Sequence, residues 1–175
     1  LTDGTQHVKR LQAALQVNLA WFAGGLASFD EAAALATTAL AAAAELGEPY
    51  VEVRALNVLG SISSRRGDSA TARGLLERSL EVSSAIDDRW SMSLVLGQLG
   101  LLALRSGLHE EARTHLERAL VVNEALGNPA GIVNDLDYLG QLSLATGDVD
   151  AAGESFQRGL ALAEDVRFRL RIPYL

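Results

Sequence analysis

The chain contains no cysteine, which excludes disulfides and thiolate chemistry and fits a reducing, cytoplasmic setting. Lys9 is its only lysine. With a formal charge of −7 and an isoelectric point near 4.9, it lacks the clustered cations that a phosphate backbone requires, so nucleic acid is not an expected partner. No apolar run reaches the ~18–20 residues of a membrane span, and the first residues do not resemble a signal peptide, so no membrane role is expected. Aromatic residues are scarce at 5%, prolines number three, and no alternating β-branched run occurs before the last ten residues. What remains is alanine and leucine. At 175 residues and 49% hydrophobic, the chain can bury one sizeable core or build an elongated stack of units. Leu1 in place of methionine reads as a piece of a longer protein.

A repeat organises the chain. Gly60, Gly100 and Gly140 fall 40 residues apart, as do Gly67, Gly107 and Gly147, and Ala72, Ala112 and Ala152. A fixed period between 20 and 50 residues is the signature of a solenoid. The frames are Lys9–Glu48, Pro49–Asp88, Arg89–Asn128 and Pro129–Phe168, with residues 1–8 a patternless lead-in and 169–175 a tail.

Each frame reads as two helices. In the first, a helix over Lys9–Gly24 carries Leu11, Leu15 and Leu19 at i, i+4 and i+8, the spacing of one helix face. Ser28-Phe29-Asp30-Glu31 has the form of a capping box ahead of a second, alanine-rich helix ending near Leu46. Gly47-Glu48-Pro49 supplies a left-handed cap and then a proline at the first turn of the next helix. Frame two turns at Arg66-Gly67-Asp68, where Asp68 caps, and exits at Asp87-Asp88-Arg89, where Asp88 caps. Ala20 and Ala27 stand in the glycine columns of frame one. Glycine inside a helix costs about 1 kcal/mol relative to alanine, so Gly60, Gly100 and Gly140 imply a close approach by the second helix, opposite Ala72, Ala112 and Ala152.

Chemistry-bearing constellations are absent. His109 and His115 lie six apart on one helix and point to different faces, which does not suit a shared metal. The acidic pairs Asp87-Asp88, Glu110-Glu111 and Asp135/Asp137 are read as helix-start residues favoured by the macrodipole, not as acid–base pairs. No nucleophile-elbow, Walker or dinucleotide string is present. Arg66-Gly67-Asp68 spells an integrin-binding tripeptide, but its glycine belongs to the inter-helix turn. No catalytic residue, cofactor or metal is expected.

The pattern L-x-x-L-G, a glycine turn, alanine five residues later and Leu or Phe four further resembles the tetratricopeptide repeat. Leu56, Leu59, Gly60, Gly67, Ala72 and Leu76 carry it in frame two. Leu96, Leu99, Gly100, Gly107, Ala112, Leu116 and Ala119 carry it in frame three, and Leu136, Leu139, Gly140, Gly147, Ala152 and Phe156 in frame four. The period is 40 instead of the usual 34. Longer repeats of this kind resemble those of large bacterial transcription regulators, signalling ATPases and kinesin light chains; HEAT-like repeats share the period but not this placement of glycine and alanine.

The resemblance implies an all-α, right-handed α-solenoid of four hairpins, about eight antiparallel helices, whose first helices line a concave groove. By column, that groove holds Val17 and Trp21, then Arg54, Asn57, Ser61 and Arg65. It continues through Leu94, Gly97, Leu101 and Leu104 to Asn134, Asp137 and Gln141. An extended peptide or partner helix suits this lining, with Leu101 and Leu104 as apolar contacts and Asn57, Asn134 and Gln141 facing peptide amides. The implied function is a non-catalytic protein- or peptide-binding scaffold, the regulatory or sensor module of a larger bacterial regulatory protein. The alternative is a self-association module, a homodimer through the C-terminal repeat and the tail, where Val166–Ile172 alternates apolar and basic residues and Leu160, Leu162 and Ala163 lack a polar cap.

Overall fold

The computed structural model describes the backbone of residues 2–171 and the side chains of residues 4–166. Among these residues the chain is all-α: α1 (Thr2–Gly25), α2 (Phe29–Leu46), α3 (Pro49–Arg65), α4 (Ser69–Ala85), α5 (Arg89–Arg105), α6 (His109–Leu126), α7 (Pro129–Ala145) and α8 (Val149–Arg171). They form two compact units, Leu1–Ser91 and Met92–Leu175. In the first, α1 pairs with α2 and α3 with α4, while α3 also packs on α2 and α1. In the second, α7 pairs with α8 and packs on α6, and Gly100 of α5 faces Leu116 of α6.

The turns follow the sequence closely. Gly47 and Gly127 close α2 and α6 in the left-handed conformation, and Gly67, Gly107 and Gly147 adopt positive φ in the hairpin turns. Ala27 and Asp87 take the same conformation at φ 61° and 52°, a strain that glycine would not carry. Asp68 accepts from the Thr71 backbone N–H at 3.1 Å and Asp88 from that of Ser91 at 3.1 Å, both as N-caps. Ser28 occupies the N-cap position of α2, but its side chain makes no cap bond, so the capping box is formed in sequence only.

The glycine columns are occupied by neighbours, as the close-approach reading requires. A Cβ on Gly60 would lie 2.8 Å from Leu76 Cγ, one on Gly100 2.5 Å from Leu116 Cγ, and one on Gly140 2.5 Å from Phe156. The intruding group is the side chain four residues after the alanine; the carbonyls of Ala72 and Ala112 follow at 3.5 and 3.4 Å.

Helix α1 differs from expectation in two ways. It begins at Thr2, so residues 2–8 belong to it. Its inward face is Ala13, Val17, Ala20 and Ala23, packed on Ala32, Ala36, Ala39 and Ala43 of α2 and on Val51, Ala55, Val58 and Ile62 of α3. Leu11, Leu15 and Leu19 point outward, continuing a stripe from Val8 through Phe22 to Leu26 that is 52–79% exposed. Two apolar faces coexist on this helix, and periodicity alone selects the one with larger side chains. The alanine face wins inside the hairpin because small residues let two helix backbones approach closely.

At the other end α8 runs to Arg171, so the alternating residues 166–171 are helical. Residues 172–175 of the expected tail lie outside the described residues, as do the side chains of 167–171.

Candidate functional site

In the first unit α1 and α3 lie side by side, which brings Trp21 and Ser61, one repeat apart in sequence, to the same surface. Between them is a cavity of about 170 Å³ lined by Trp21, Gly24, Gly25, Phe29, Val58, Ser61, Ile62 and Arg65. Trp21 is 44% exposed. Arg65 ends α3, where a cation complements the helix C-terminus. Its guanidinium carbon stands 5.7 Å from the centroid of the Phe29 ring, within cation–π range. The next residue, Arg66, is tied to Asp30.

The other expected groove residues separate into available and buried. Arg54 is half-buried, whereas Val17 belongs to the hydrophobic core and Asn57 is only 2% exposed. Both of these are turned into the protein, and Asn57 has internal interactions, so its amide does not face a groove. In the second unit Leu101, Leu104 and Leu94 are half-buried, and Leu104 packs against the cluster of Ala103, Ala112, Leu116 and Leu142. Asn134, Asp137 and Gln141 are exposed, and Gln141 Nε2 donates to Asp137 Oδ2 at 2.7 Å. Gly97 is buried, with the position of its absent Cβ 3.3 Å from Asp135 Oδ1.

Asp135 is the residue that the sequence reading placed wrongly. It lies within α7, away from the helix start, and is 3% exposed in the column of Ala55 and Val95. Its Oδ2 accepts from Asn123 Nδ2 at 2.7 Å, and Asn123 Oδ1 accepts from Asn128 Nδ2 at 2.9 Å. Burial pushes its carboxyl up from 3.8 to about 6, and the Asn123 bond opposes that rise only in part. The repeat columns contained a signal for this cluster. Where Ala43, Ser83 and Asn123 grow in size, Val51, Ser91 and Gly131 shrink, and a Cβ on Gly131 would lie 2.4 Å from Asn123.

The remaining polar motifs are structural. Asp68 of the Arg-Gly-Asp string is engaged as a cap, and hydrogen bonds from the Thr71 side chain and backbone N–H hold its carboxyl below the ordinary value. His115 Nε2 is 3.7 Å from Glu111 Oε1 on the same helix. Among the described residues no cluster of His, Cys, Asp and Glu could hold a metal, and no helix is long and apolar enough to cross a membrane.

Hairpins of this geometry have known counterparts. Residues 91–165 match the family model of the tetratricopeptide repeat. Proteins built on tetratricopeptide repeats generally act by binding other proteins. Among solved structures, the crystal structure of BtubC (BKLC) from P. vanneervenii is similar over 95% of this chain and 68% of its own, with a TM-score of 0.77 and 22% identity. The crystal structure of MamA protein is similar over 94% of this chain and 98% of its own, with a TM-score of 0.52 and 14% identity. At these identities the likeness is one of fold: all-α tetratricopeptide-like hairpins of the solenoid class. No curated protein matches the sequence.

Proposed function

We propose that this chain is a non-catalytic, cytoplasmic peptide-binding module that serves as the regulatory or sensor part of a larger bacterial regulatory protein. The observation that carries the binding reading is the cavity between α1 and α3. It places an exposed tryptophan, a hydroxyl and a guanidinium around apolar walls, the composition of a peptide-recognition site. The second unit, taken by itself, offers half-buried Leu101 and Leu104 for apolar contact and the exposed amides of Asn134 and Gln141 for an extended backbone. The test is selection of phage-displayed 12-residue peptides on the immobilised chain, with counter-selection on Trp21→Ala/Leu101→Arg. Sequences that bind the wild-type chain and lose the double variant support the reading. Failure to enrich any sequence, or enrichment indifferent to both substitutions, contradicts it.

A second reading, self-association, is favoured by the outer stripe of α1. Its columns Leu11, Leu15, Leu19 and Phe22 correspond in α3 to Val51, Ala55, Leu59 and Ile62, which pack on the preceding hairpin. The complementary face is offered by α8. Leu160 is exposed where Leu40, Leu80 and Leu120 are half-buried, and Ala163 is exposed where Ala43, Ser83 and Asn123 are buried. A second copy docking its α1 on α8 would continue the packing found between consecutive hairpins.

A further inference from the structure

Where α1, α2 and α3 meet, the packed residues are Ala13, Val17, Ala39, Ala43, Val51 and Ala55, all apolar and buried. Two repeats on, the same positions in α5, α6 and α7 are Ser93, Gly97, Ala119, Asn123, Gly131 and Asp135. Of these only Ala119 keeps an apolar side chain. The replacements match one another. A Cβ on Gly131 would fall on the Asn123 amide, and one on Gly97 would stand 3.3 Å from Asp135 Oδ1. Each glycine leaves the space that a polar side chain occupies.

The polar groups form one chain of hydrogen bonds across the α6–α7 turn. The Gly131 N–H donates to Asn128 Oδ1 at 3.3 Å, Asn128 Nδ2 to Asn123 Oδ1 at 2.9 Å, and Asn123 Nδ2 to Asp135 Oδ2 at 2.7 Å. Asp135 ends the chain and is its titratable member. By column the groups that face it are Ser93 and Gly97 on α5 and Ala119 and Asn123 on α6, none of them titratable. The charged residues nearest in sequence on the adjoining helices, Glu117, Arg118 and Glu124 of α6 and Asp137 of α7, are exposed, and α5 carries its charges only at its ends, Arg89 and Arg105. Among the described residues no cation balances an ionised Asp135, and burying a lone carboxylate is costly. The apolar contacts that would hold the helices together against that cost are the ones replaced here, and local opening starts where buried apolar contacts are few.

We propose that the α6–α7 junction is a proton-operated latch. With Asp135 protonated, the α7–α8 hairpin is held on α6; with Asp135 ionised, the junction opens locally and water reaches the carboxylate. Asn134, Asp137 and Gln141 ride on α7, so opening moves them, but the inference does not depend on what they bind.

The test is hydrogen exchange of the backbone amides at pH 5 and pH 7.5, expressed as protection after correction for the intrinsic rate. A helix released from its packing is only marginally stable in water, so opening shows as exchange in α7. A carboxyl that titrates at about 6 in place and near 3.8 once exposed should cost the end of α6 and all of α7 about tenfold in protection between the two pH values. The amides of α2 and α3 should keep theirs. Asp135→Asn should remove the pH dependence in α7, and so should Asp135→Ala, which installs the residue found at Ala55 and serves if the first variant folds poorly. Unchanged protection in α7, an equal loss in every helix, or a pH dependence that survives both substitutions would overturn the inference. So would an Asp135 carboxyl carbon resonance that titrates near 3.8 in the folded chain.

Discussion

At the scale of single residues, Asp135 is the group with the largest pH-linked consequence. Its carboxyl titrates near 6 when folded and near 3.8 when unfolded. The folded chain therefore keeps its proton to higher pH than the unfolded chain does. The stabilisation this provides is full below the unfolded value and is lost as pH rises through about 6. Above that pH a charged carboxylate sits where Ala55 and Val95 stand in other repeats. Asp135→Asn keeps an acceptor for Asn123 and removes the charge. It should raise stability at about pH 7.5 by on the order of 2 kcal/mol relative to its effect at about pH 4.5. Urea midpoints of both proteins at both pH values check this; an equal difference at the two pH values would show that Asp135 does not titrate as described. This residue was legible only by column, since Ala55 and Val95 hold its position in other repeats, and not from its own chemistry. An acidic residue on a helix is ordinarily read as solvated, and only its packing neighbours reveal otherwise.

At the scale of helices and hairpins, most of the architecture was legible. The 40-residue spacing of glycine and alanine marked the hairpins, and the turn glycines adopt the positive φ that their columns imply. The structure sharpened the reason for the helical glycines by naming Leu76, Leu116 and Phe156 as the side chains that fill their place. Gly100→Ala should therefore destabilise by about 1–2 kcal/mol, since overpacking outweighs the gain in helix propensity. Gly74→Ala is the control: Gly74 is an exposed position in α4 with nothing near its absent Cβ, and the change should stabilise by up to about 1 kcal/mol. Thermal melts of the pair decide between packing and simple propensity. If both substitutions stabilise, the glycine column has no packing role. What the helix pattern concealed was the orientation of α1, where a leucine stripe and an alanine stripe compete and the smaller side chains form the inner face. The groove was legible as a set of columns but not in its depth. Asn57 and Val17 share the column logic of Trp21 and Arg54 yet turn inward.

At the scale of the whole molecule, the outer face of α1 and the outer face of α8 make a statement about assembly that two variants can test. If copies join head to tail, Leu15→Glu/Phe22→Glu and Leu160→Glu should each be monomeric alone by light scattering. Mixed together they should give a one-to-one dimer and nothing larger, because each retains one working face. A wild-type chain that remains monomeric at every concentration removes the self-association reading. If only one face matters, α1-to-α1 pairing replaces the head-to-tail arrangement. Neither result depends on the cavity, whose residues lie on the surface shared by α1 and α3.

Whether the α1–α3 surface receives a peptide is tested by a nuclear magnetic resonance titration with a selected peptide. The indole N–H of Trp21 reports from the cavity, and the backbone amides report from every helix. Shifts are expected for the Trp21 indole, for α3 amides near Ser61 and Arg65 and for the start of α2 at Phe29, with the amides of α4 and of the rest of α2 unmoved. Binding that leaves the Trp21 indole in place, or that moves chiefly α4 and the part of α2 beyond its first turn, would contradict it.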